Sequence, residues 1–175
     1  MIIETHRLQI VKFEARYLTD TYIGWLNDKS LVRYSTQRLL NHTLESCEAY
    51  MRSFDNTPNY FWAILCKDRD HRHIGNMNAY IDPVNGIADL GILIGDPESA
   101  GRGYGREAWQ AVCNYLLQAT TIRKISAGTL AVNTPMLAIM RACDMVDDGI
   151  RKRHCLLEGA EVDVIHMALF ARRDP

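Results

Sequence analysis

The chain has 175 residues, of which 47% are apolar and 23% are charged. This is the usual balance of a globular protein, so it excludes intrinsic disorder as the default. The formal net charge of −1 leaves no basic excess to neutralise phosphates, which argues against a nucleic-acid-binding protein. No apolar run reaches membrane-spanning length and the first residues show no leader pattern, so we expect one cytoplasmic domain over residues 1–175 with no membrane partner.

Cysteine and histidine spacing argues against a metal site. The cysteines are odd in number, widely scattered and never in CxxC spacing, which favours buried thiols over zinc ligands or a disulfide framework. His71 and His73 stand beside a charged turn, where we expect solvated side chains rather than metal ligands. The cysteines are Cys47, Cys66, Cys113, Cys143 and Cys155.

The first third of the chain predicts one strand and two helices. Residues 5–11 alternate between apolar and polar side chains, which is typical of a strand. Thr19 and Thr43 stand at helix N-cap positions. The apolar residues that follow them at helical spacing run to Leu26 and Phe54.

Three strands follow. Residues 60–65 are aromatic and apolar, residues 73–81 alternate, and residues 87–94 are apolar with β-branched side chains. Because short turns join them, we expect an antiparallel meander.

The second half predicts a helix from Gly103 onward and a strand over residues 124–130. A strand–helix–strand crossover makes that strand a parallel neighbour of residues 87–94. Asn133 and Pro135 begin another helix, and two strands over residues 146–155 and 162–170 complete the chain around a turn at Glu158 and Gly159.

A glycine-rich segment, Ala100-Gly101-Arg102-Gly103-Tyr104-Gly105, lies where the central helix begins. Each glycine costs roughly 0.5–1 kcal/mol relative to alanine if helical, so a function must offset that cost. Glycine allows a ligand to approach the backbone, and the first N–H groups of a helix attract anions. Arg102 adds a positive charge suited to phosphate oxygens. The segment therefore predicts a phosphate or pyrophosphate site, and a turn without a ligand is the alternative.

Two common phosphate-binding motifs do not fit this segment. No Lys-Ser or Lys-Thr follows the glycines, which excludes a P-loop. A dinucleotide motif GxGxxG that began at Gly101 would place its last glycine at Arg106. One that began at Gly103 would lie about eight residues beyond the preceding strand, which should end almost at the first glycine.

The segment resembles the acetyl-CoA loop of the GNAT superfamily of N-acetyltransferases, written [QR]xxGx[GA]. Gly103 and Gly105 match it, and Ala100 replaces the leading Gln or Arg. The wording from Gly91 to Ala108 is similar to the branch that contains the ribosomal-protein N-terminal acetyltransferases. The resemblance implies an α/β (α+β) fold: a mixed, mostly antiparallel twisted sheet, flanked by helices and containing a splayed parallel strand pair.

The resemblance also implies acetyl-CoA as cosubstrate, without a metal. The loop residues Ala100, Gly101, Arg102, Gly103, Tyr104 and Gly105 then bind the pyrophosphate. The backbone of Leu93, Ile94 and Gly95 holds the pantetheine arm and the thioester. Asn133 is implied to contact the pantetheine arm or to order water there. Read from the sequence alone, it is a helix N-cap, and both roles can coexist.

Asp89 is the best candidate for a general base. It takes the acidic position of the family segment "[DE]-hydrophobic-G", and a structural hydrogen bond is the alternative role. His73 and His166 are lesser candidates. The chain departs from the family at three positions after Asn133: Met136 replaces a common Ser, Met140 replaces a general-acid Tyr, and Asp144 replaces a Gly. These changes leave the proton donor to the thiolate unidentified.

We therefore expect an N-acetyltransferase that transfers acetyl directly to a primary amine. The acceptor can be a protein N-terminus, a small-molecule amine or an amino-sugar amine, and the protein a monomer or a homodimer. At pH 7 an α-amino group is about 10% neutral and a lysine amine roughly 0.04%, which favours the former. Two alternatives are an acyl-CoA sensor without turnover and a partner-binding subunit with an empty loop.

Overall fold

A computed structural model describes residues 2–172, which form one eight-stranded sheet and four helices. The spatial order of the strands is β1-β2-β3-β4-β5-β6-β8-β7, and within the described residues every neighbouring pair except β5–β6 is antiparallel. The strands are β1 Ile2–Glu4, β2 Leu8–Lys12, β3 Tyr60–Cys66, β4 Arg72–Asp82, β5 Ile87–Ile94, β6 Lys124–Leu130, β7 Val146–Leu157 and β8 Ala160–Phe170. The helices are α1 Asp20–Asn27, α2 Leu44–Arg52, α3 Tyr104–Ala119 and α4 Thr134–Ala142.

The predicted fold class, with its meander and its one parallel pair, is confirmed. The helix starts are also where the capping residues predict them. The Thr19 hydroxyl accepts a hydrogen bond from the N–H of Tyr22, and Thr43 forms a capping box with Ser46. None of the helices within residues 2–172 has the length and apolarity needed to span a membrane.

The strand predicted over residues 5–11 corresponds to β2, which begins three residues later, at Leu8, and the sequence did not predict β1. Two short strands, β1 and β2, pair there around a turn at residues 5–7. The Thr5 hydroxyl accepts a hydrogen bond from the Leu8 N–H at 2.8 Å, and the Thr5 N–H donates to the Leu8 carbonyl. A threonine that closes a turn with its own side chain leaves no mark on hydrophobic alternation.

Helices cover the sheet on both faces, and the alternation of β5 sends its side chains to both layers. Ala88 and Leu90 are buried in the core that contains Trp109 of α3. Leu93 points the other way and packs against a second, aromatic-rich core beneath α1 and α2, which includes Trp25. Strand β5 therefore lies between the two layers and contributes side chains to both.

Strands β5 and β6 pair only at their beginnings. The parallel register runs from Ile87 opposite Lys124 to Asp89 opposite Ser126 and then stops. Strand β6 continues beside β8 to Leu130, so the edge of β5 that faces β6 has no ladder partner among the described residues from residue 90 to residue 94. This is the predicted splay of the parallel pair.

Asp144 adopts a left-handed conformation at the end of α4, with φ of 60°. The Met145 N–H donates to the Met140 carbonyl at 3.1 Å, which is the hydrogen bond of a Schellman motif. The position therefore favours glycine, the residue that the resemblance implies there.

We expect Asp144→Gly to raise the free energy of unfolding by about 0.5–1 kcal/mol, because glycine relieves the left-handed strain. Urea denaturation measures the change. Asp144→Ala is the control and should lower stability. A destabilised Asp144→Gly protein would contradict this interpretation.

Candidate active site

The glycine-rich loop presents a row of free backbone N–H groups. Gly101 and Gly103 have φ of 70° and 80°, and Gly103 is the N-cap of α3. Within residues 2–172, the N–H groups of residues 102–106 have no hydrogen-bond acceptor. Residues 101–103 are exposed, so these donors and the positive end of a 16-residue helix meet at the surface. The geometry fits an anion such as a pyrophosphate.

The Tyr104 side chain lies in the core and does not face this loop. It is 5% exposed, its hydroxyl accepts a hydrogen bond from Cys66 Sγ, and the Arg7 guanidinium stacks on its ring at 4.5 Å. The backbone N–H is therefore the part of Tyr104 that can bind an anion. Gly105 lies close to Ile139 and Ile94, so the loop is packed between α4 and β5.

Arg7, in the turn between β1 and β2, and Glu107, in α3, hold the loop in place. The sequence prediction missed both residues. Arg7 forms an ion pair with Glu107 at 2.7 Å and donates a hydrogen bond to the Arg102 carbonyl at 3.0 Å. Burial alone would raise the pKa of Glu107, but hydrogen bonds from Thr5 and Arg7 outweigh it and lower that pKa. Glu107 lies within the segment from Gly91 to Ala108 that resembles the family, but its partner is 100 residues away, so no local pattern reveals the pair.

A buried carboxylate holds the segment between β5 and the loop. The side chain of Asp96 is 1% exposed and pairs with Arg69 and Arg72. Ser99 donates a further hydrogen bond at 2.6 Å. Burial opposes ionisation, but these hydrogen bonds and charges prevail and lower the pKa of Asp96. The ionised cluster fixes the path of the chain from β5 into the loop.

The three residues predicted to bind the pantetheine arm differ in whether their backbone N–H groups are free to bind a ligand. The Gly95 N–H donates to the Ile74 carbonyl at 2.9 Å, so it is already bonded to the chain next to β4. Because N–H groups alternate in direction along a strand, the Leu93 N–H also faces β4 and the Ile94 N–H faces the splay. Ile94 is thus the residue of the three whose donor points toward the unpaired edge.

Asp89 lies at the last paired position before the splay. It is exposed, and its carboxylate accepts a hydrogen bond from Ser126 Oγ at 3.2 Å. Desolvation by the surrounding strands raises its pKa, against the opposing effects of Ser126 and His166. The pairing register places His166, beside Gly128, on the same sheet face as Ser126.

Asn133 is the N-cap of α4. Its Oδ1 accepts from the Met136 N–H at 3.4 Å and its Nδ2 donates to Thr129 Oγ1 at 2.9 Å. The capping role is therefore observed, and the cofactor contact stays a prediction. Met140 is fully buried in the core, so no proton donor occupies the position implied for the general acid.

His73 is not solvated as predicted. Its ring packs among Tyr17, Tyr22 and Trp25, and Nε2 contacts the Gly75 carbonyl at 2.9 Å. Burial lowers its pKa to about 4, so it is neutral at pH 7. Among the residues that the structure describes, no group of three or more His, Cys, Asp or Glu side chains is placed to hold a metal ion.

A cavity of about 490 Å³ lies beside the splay, between the sheet and the helices α1 and α2. Gly91, Ile92 and Leu93 of β5 form part of its wall. Its size falls in the range of small-molecule sites, roughly 300–1,000 Å³. Leu93 lines the cavity and directly precedes Ile94, so the cavity and the unpaired edge share one stretch of backbone.

Comparison with known proteins identifies the family. Residues 7–146 match the family model described as "Acetyltransferase (GNAT) domain". Similar solved structures include a GNAT-family acetyltransferase from Bacillus anthracis, with 20% identity, 98% of this chain and 99% of that chain covered, and a TM-score of 0.83. A ribosomal L7/L12 α-N-protein acetyltransferase in complex with coenzyme A is 17% identical, with a TM-score of 0.85. The match covers 97% of this chain and 98% of that chain.

A spermidine N-acetyltransferase from Vibrio cholerae, in complex with coenzyme A and spermine, is 18% identical, with a TM-score of 0.84. The match covers 95% of this chain and 97% of that chain. At these identities the structures show a common fold. The family model covers most of the chain and agrees with the loop motif. The chain therefore belongs to the GNAT family of acetyltransferases.

Proposed function

We propose that this protein transfers the acetyl group of acetyl-CoA directly to a primary amine. The observation that carries the proposal is the row of acceptor-free N–H groups over residues 102–106, at the start of α3 and beside the splayed strands. Backbone donors at a helix N-terminus suit a pyrophosphate, and an unpaired strand edge suits the amides of a pantetheine arm.

The fold supports the following cosubstrate contacts as part of this proposal. The backbone of Ala100 through Gly105 would hold the pyrophosphate, with the exposed Arg102 side chain as a further partner. The Ile94 N–H would donate to the thioester carbonyl oxygen. Asn133, beside β6, would face the pantetheine arm from the opposite side of the splay. Acetyl-CoA itself supplies an activated acyl carbon and a thiolate leaving group.

Acetyl transfer requires the amine beside the thioester, a donor to the developing oxyanion, and removal of the amine proton. The Ile94 N–H would meet the second requirement, because it faces the splay without any reorganisation of the backbone. Asp89 remains our prediction for the third. Its raised pKa makes its carboxylate a stronger base than an ordinary exposed aspartate. The cavity bounded by Leu93 would admit the amine.

Coenzyme A titration tests the proposal. Isothermal calorimetry should detect binding, and acetyl-CoA with a panel of primary amines should release free thiol. Arg102→Glu should weaken coenzyme A binding about tenfold, because a like charge would replace a partner of the diphosphate.

Arg151→Glu is the matched control, because Arg151 is also exposed but lies on β7. It should leave coenzyme A affinity unchanged. Absence of binding would contradict the proposal, and binding without thiol release from any amine would leave an acyl-CoA-binding protein instead.

A further inference from the structure

The cavity between the sheet and the helices α1 and α2 contains no carboxylate. Among the described residues that line it, none is Asp or Glu. A cation that enters a partly desolvated site needs an opposite charge there, because burial of an unpaired charge is costly. The cavity is therefore suited to an uncharged ligand body and to an amine in its neutral form.

His42 enters this cavity from the segment that precedes α2. The Asn27 side chain, at the end of α1, clamps its backbone. Asn27 Oδ1 accepts from the His42 N–H and Asn27 Nδ2 donates to the His42 carbonyl, both at 2.8 Å. The His42 backbone is thus held in place by a pair of hydrogen bonds to the last residue of α1.

The His42 ring is a hydrogen-bond acceptor without a donor. Its Nε2 is buried and has no partner among the described residues. Burial lowers its pKa, with Lys29 acting in the same direction and the Gln37 backbone in the opposite one. Cys47 and Tyr50 line the same cavity, and burial raises the pKa of both, so neither supplies a negative charge. A neutral ring with a free Nε2 can accept an N–H.

Asn76 supplies a second free acceptor from the sheet. It is 8% exposed, and its Oδ1 also has no partner within the described part of the chain. Its register partner is Leu93, so it lies beside the stretch of β5 that we assign to the cosubstrate. A buried acceptor without a donor is unfavourable, and a hydrogen bond from a ligand would remove that cost.

We propose that His42 Nε2 and Asn76 Oδ1 accept hydrogen bonds from the two N–H groups of a neutral acceptor amine, and that the acceptor is an α-amine on an uncharged body rather than a polyamine. This inference rests on the proposed acetyltransferase function. Two acceptors match the two donors of a neutral primary amine and leave its lone pair free. An α-amino group has a pKa of about 7.7–8.0 and reaches the neutral form more readily than a lysine or polyamine nitrogen near 10.4.

Acceptor competition tests this assignment. The wild-type enzyme, with saturating acetyl-CoA, is assayed by thiol release with trialanine amide, Nα-acetyl-lysine amide and spermidine. We expect kcat/KM for trialanine amide to exceed that for spermidine by at least about 100-fold, in line with the neutral fractions at pH 7.

Variants test the two residues. His42→Phe and Asn76→Leu should each raise KM for trialanine amide about tenfold, since each removes one hydrogen bond to the amine. Coenzyme A affinity should stay at the wild-type value. Asn76→Leu should also unfold at the same or a higher temperature, because it removes a buried acceptor that has no donor.

His154→Phe is the control, because His154 is exposed on β7 and does not line the cavity. It should leave KM unchanged. Gln37→Glu would introduce a carboxylate into the cavity lining and should raise the preference for spermidine over trialanine amide about tenfold.

Two kinds of failure are distinguishable. Coenzyme A binding with a wild-type preference for spermidine, or with unchanged KM in both His42→Phe and Asn76→Leu, would overturn the acceptor assignment and leave the acetyltransferase intact. No coenzyme A binding and no thiol release with any amine would overturn the proposed function itself.

Discussion

A Gly103→Val variant is expected to bind coenzyme A about 100-fold more weakly than the wild type while it keeps the native fold. Valine at φ of 80° is strained, and its side chain would cover the first free N–H groups of α3. Loss of two charge-assisted hydrogen bonds at roughly 1.5 kcal/mol each gives this factor. The fold should survive, because Arg7 Nη2, at 3.6 Å, is the nearest atom that a Cβ at Gly103 would meet.

Calorimetry with coenzyme A measures the loss of affinity, and Gly159→Val is the matched control. Gly159 has φ of 84° in the turn between β7 and β8, with nothing within 4 Å of an added Cβ. Its valine variant should lose similar stability and keep full affinity. Equal affinity losses in both variants would mean that backbone strain, and not the anion site, explains the effect.

Gly95→Ala should reduce kcat/KM for an amine by at least about 100-fold and lower the free energy of unfolding by roughly 2–3 kcal/mol. A Cβ at this position would collide with Cδ2 of Trp25, a buried side chain of α1. The indole must therefore move away from β5. Its displacement would shift α1, which forms one wall of the cavity, and would disturb the neighbouring Ile94.

Thermal unfolding and thiol release measure these effects together. Gly24→Ala, on the same helix as Trp25, is the control, because nothing lies within 4 Å of an added Cβ and a helical alanine is favoured. It should stabilise the protein slightly. Adding Trp25→Val to Gly95→Ala should recover part of the lost stability. A Gly95→Ala protein with normal stability and activity would contradict the predicted collision between the added Cβ and the Trp25 indole.

The local structure that we propose binds the cosubstrate was predictable from local sequence. Strand β5 was predicted with its observed bounds, and α3 was predicted to begin one residue before its observed start. Gly101 and Gly103 have left-handed φ angles, and the proposed anion site needs only the free N–H groups of one helical turn. All of these depend on residues within a few positions of each other, so periodicity and turn chemistry record them.

The acceptor end of the site was not predictable in this way. Asn27 and His42 meet because α1 and the segment before α2 fold over the sheet, and Asn76 reaches the same cavity from β4. A sequence does not show which histidine or asparagine lacks a hydrogen-bond partner, because that depends on the side chains packed around it.

Apart from β1, the order and type of the strands and helices, the parallel pair and the glycine-rich loop at the start of α3 were thus predictable from sequence pattern. The bracing of the loop by Arg7 and the cluster around Asp96 required the folded chain, because the ion-pair partners lie 24 to 100 residues apart. The same holds for the uncharged cavity. Its character depends on which side chains are excluded from it, and tertiary packing alone decides that.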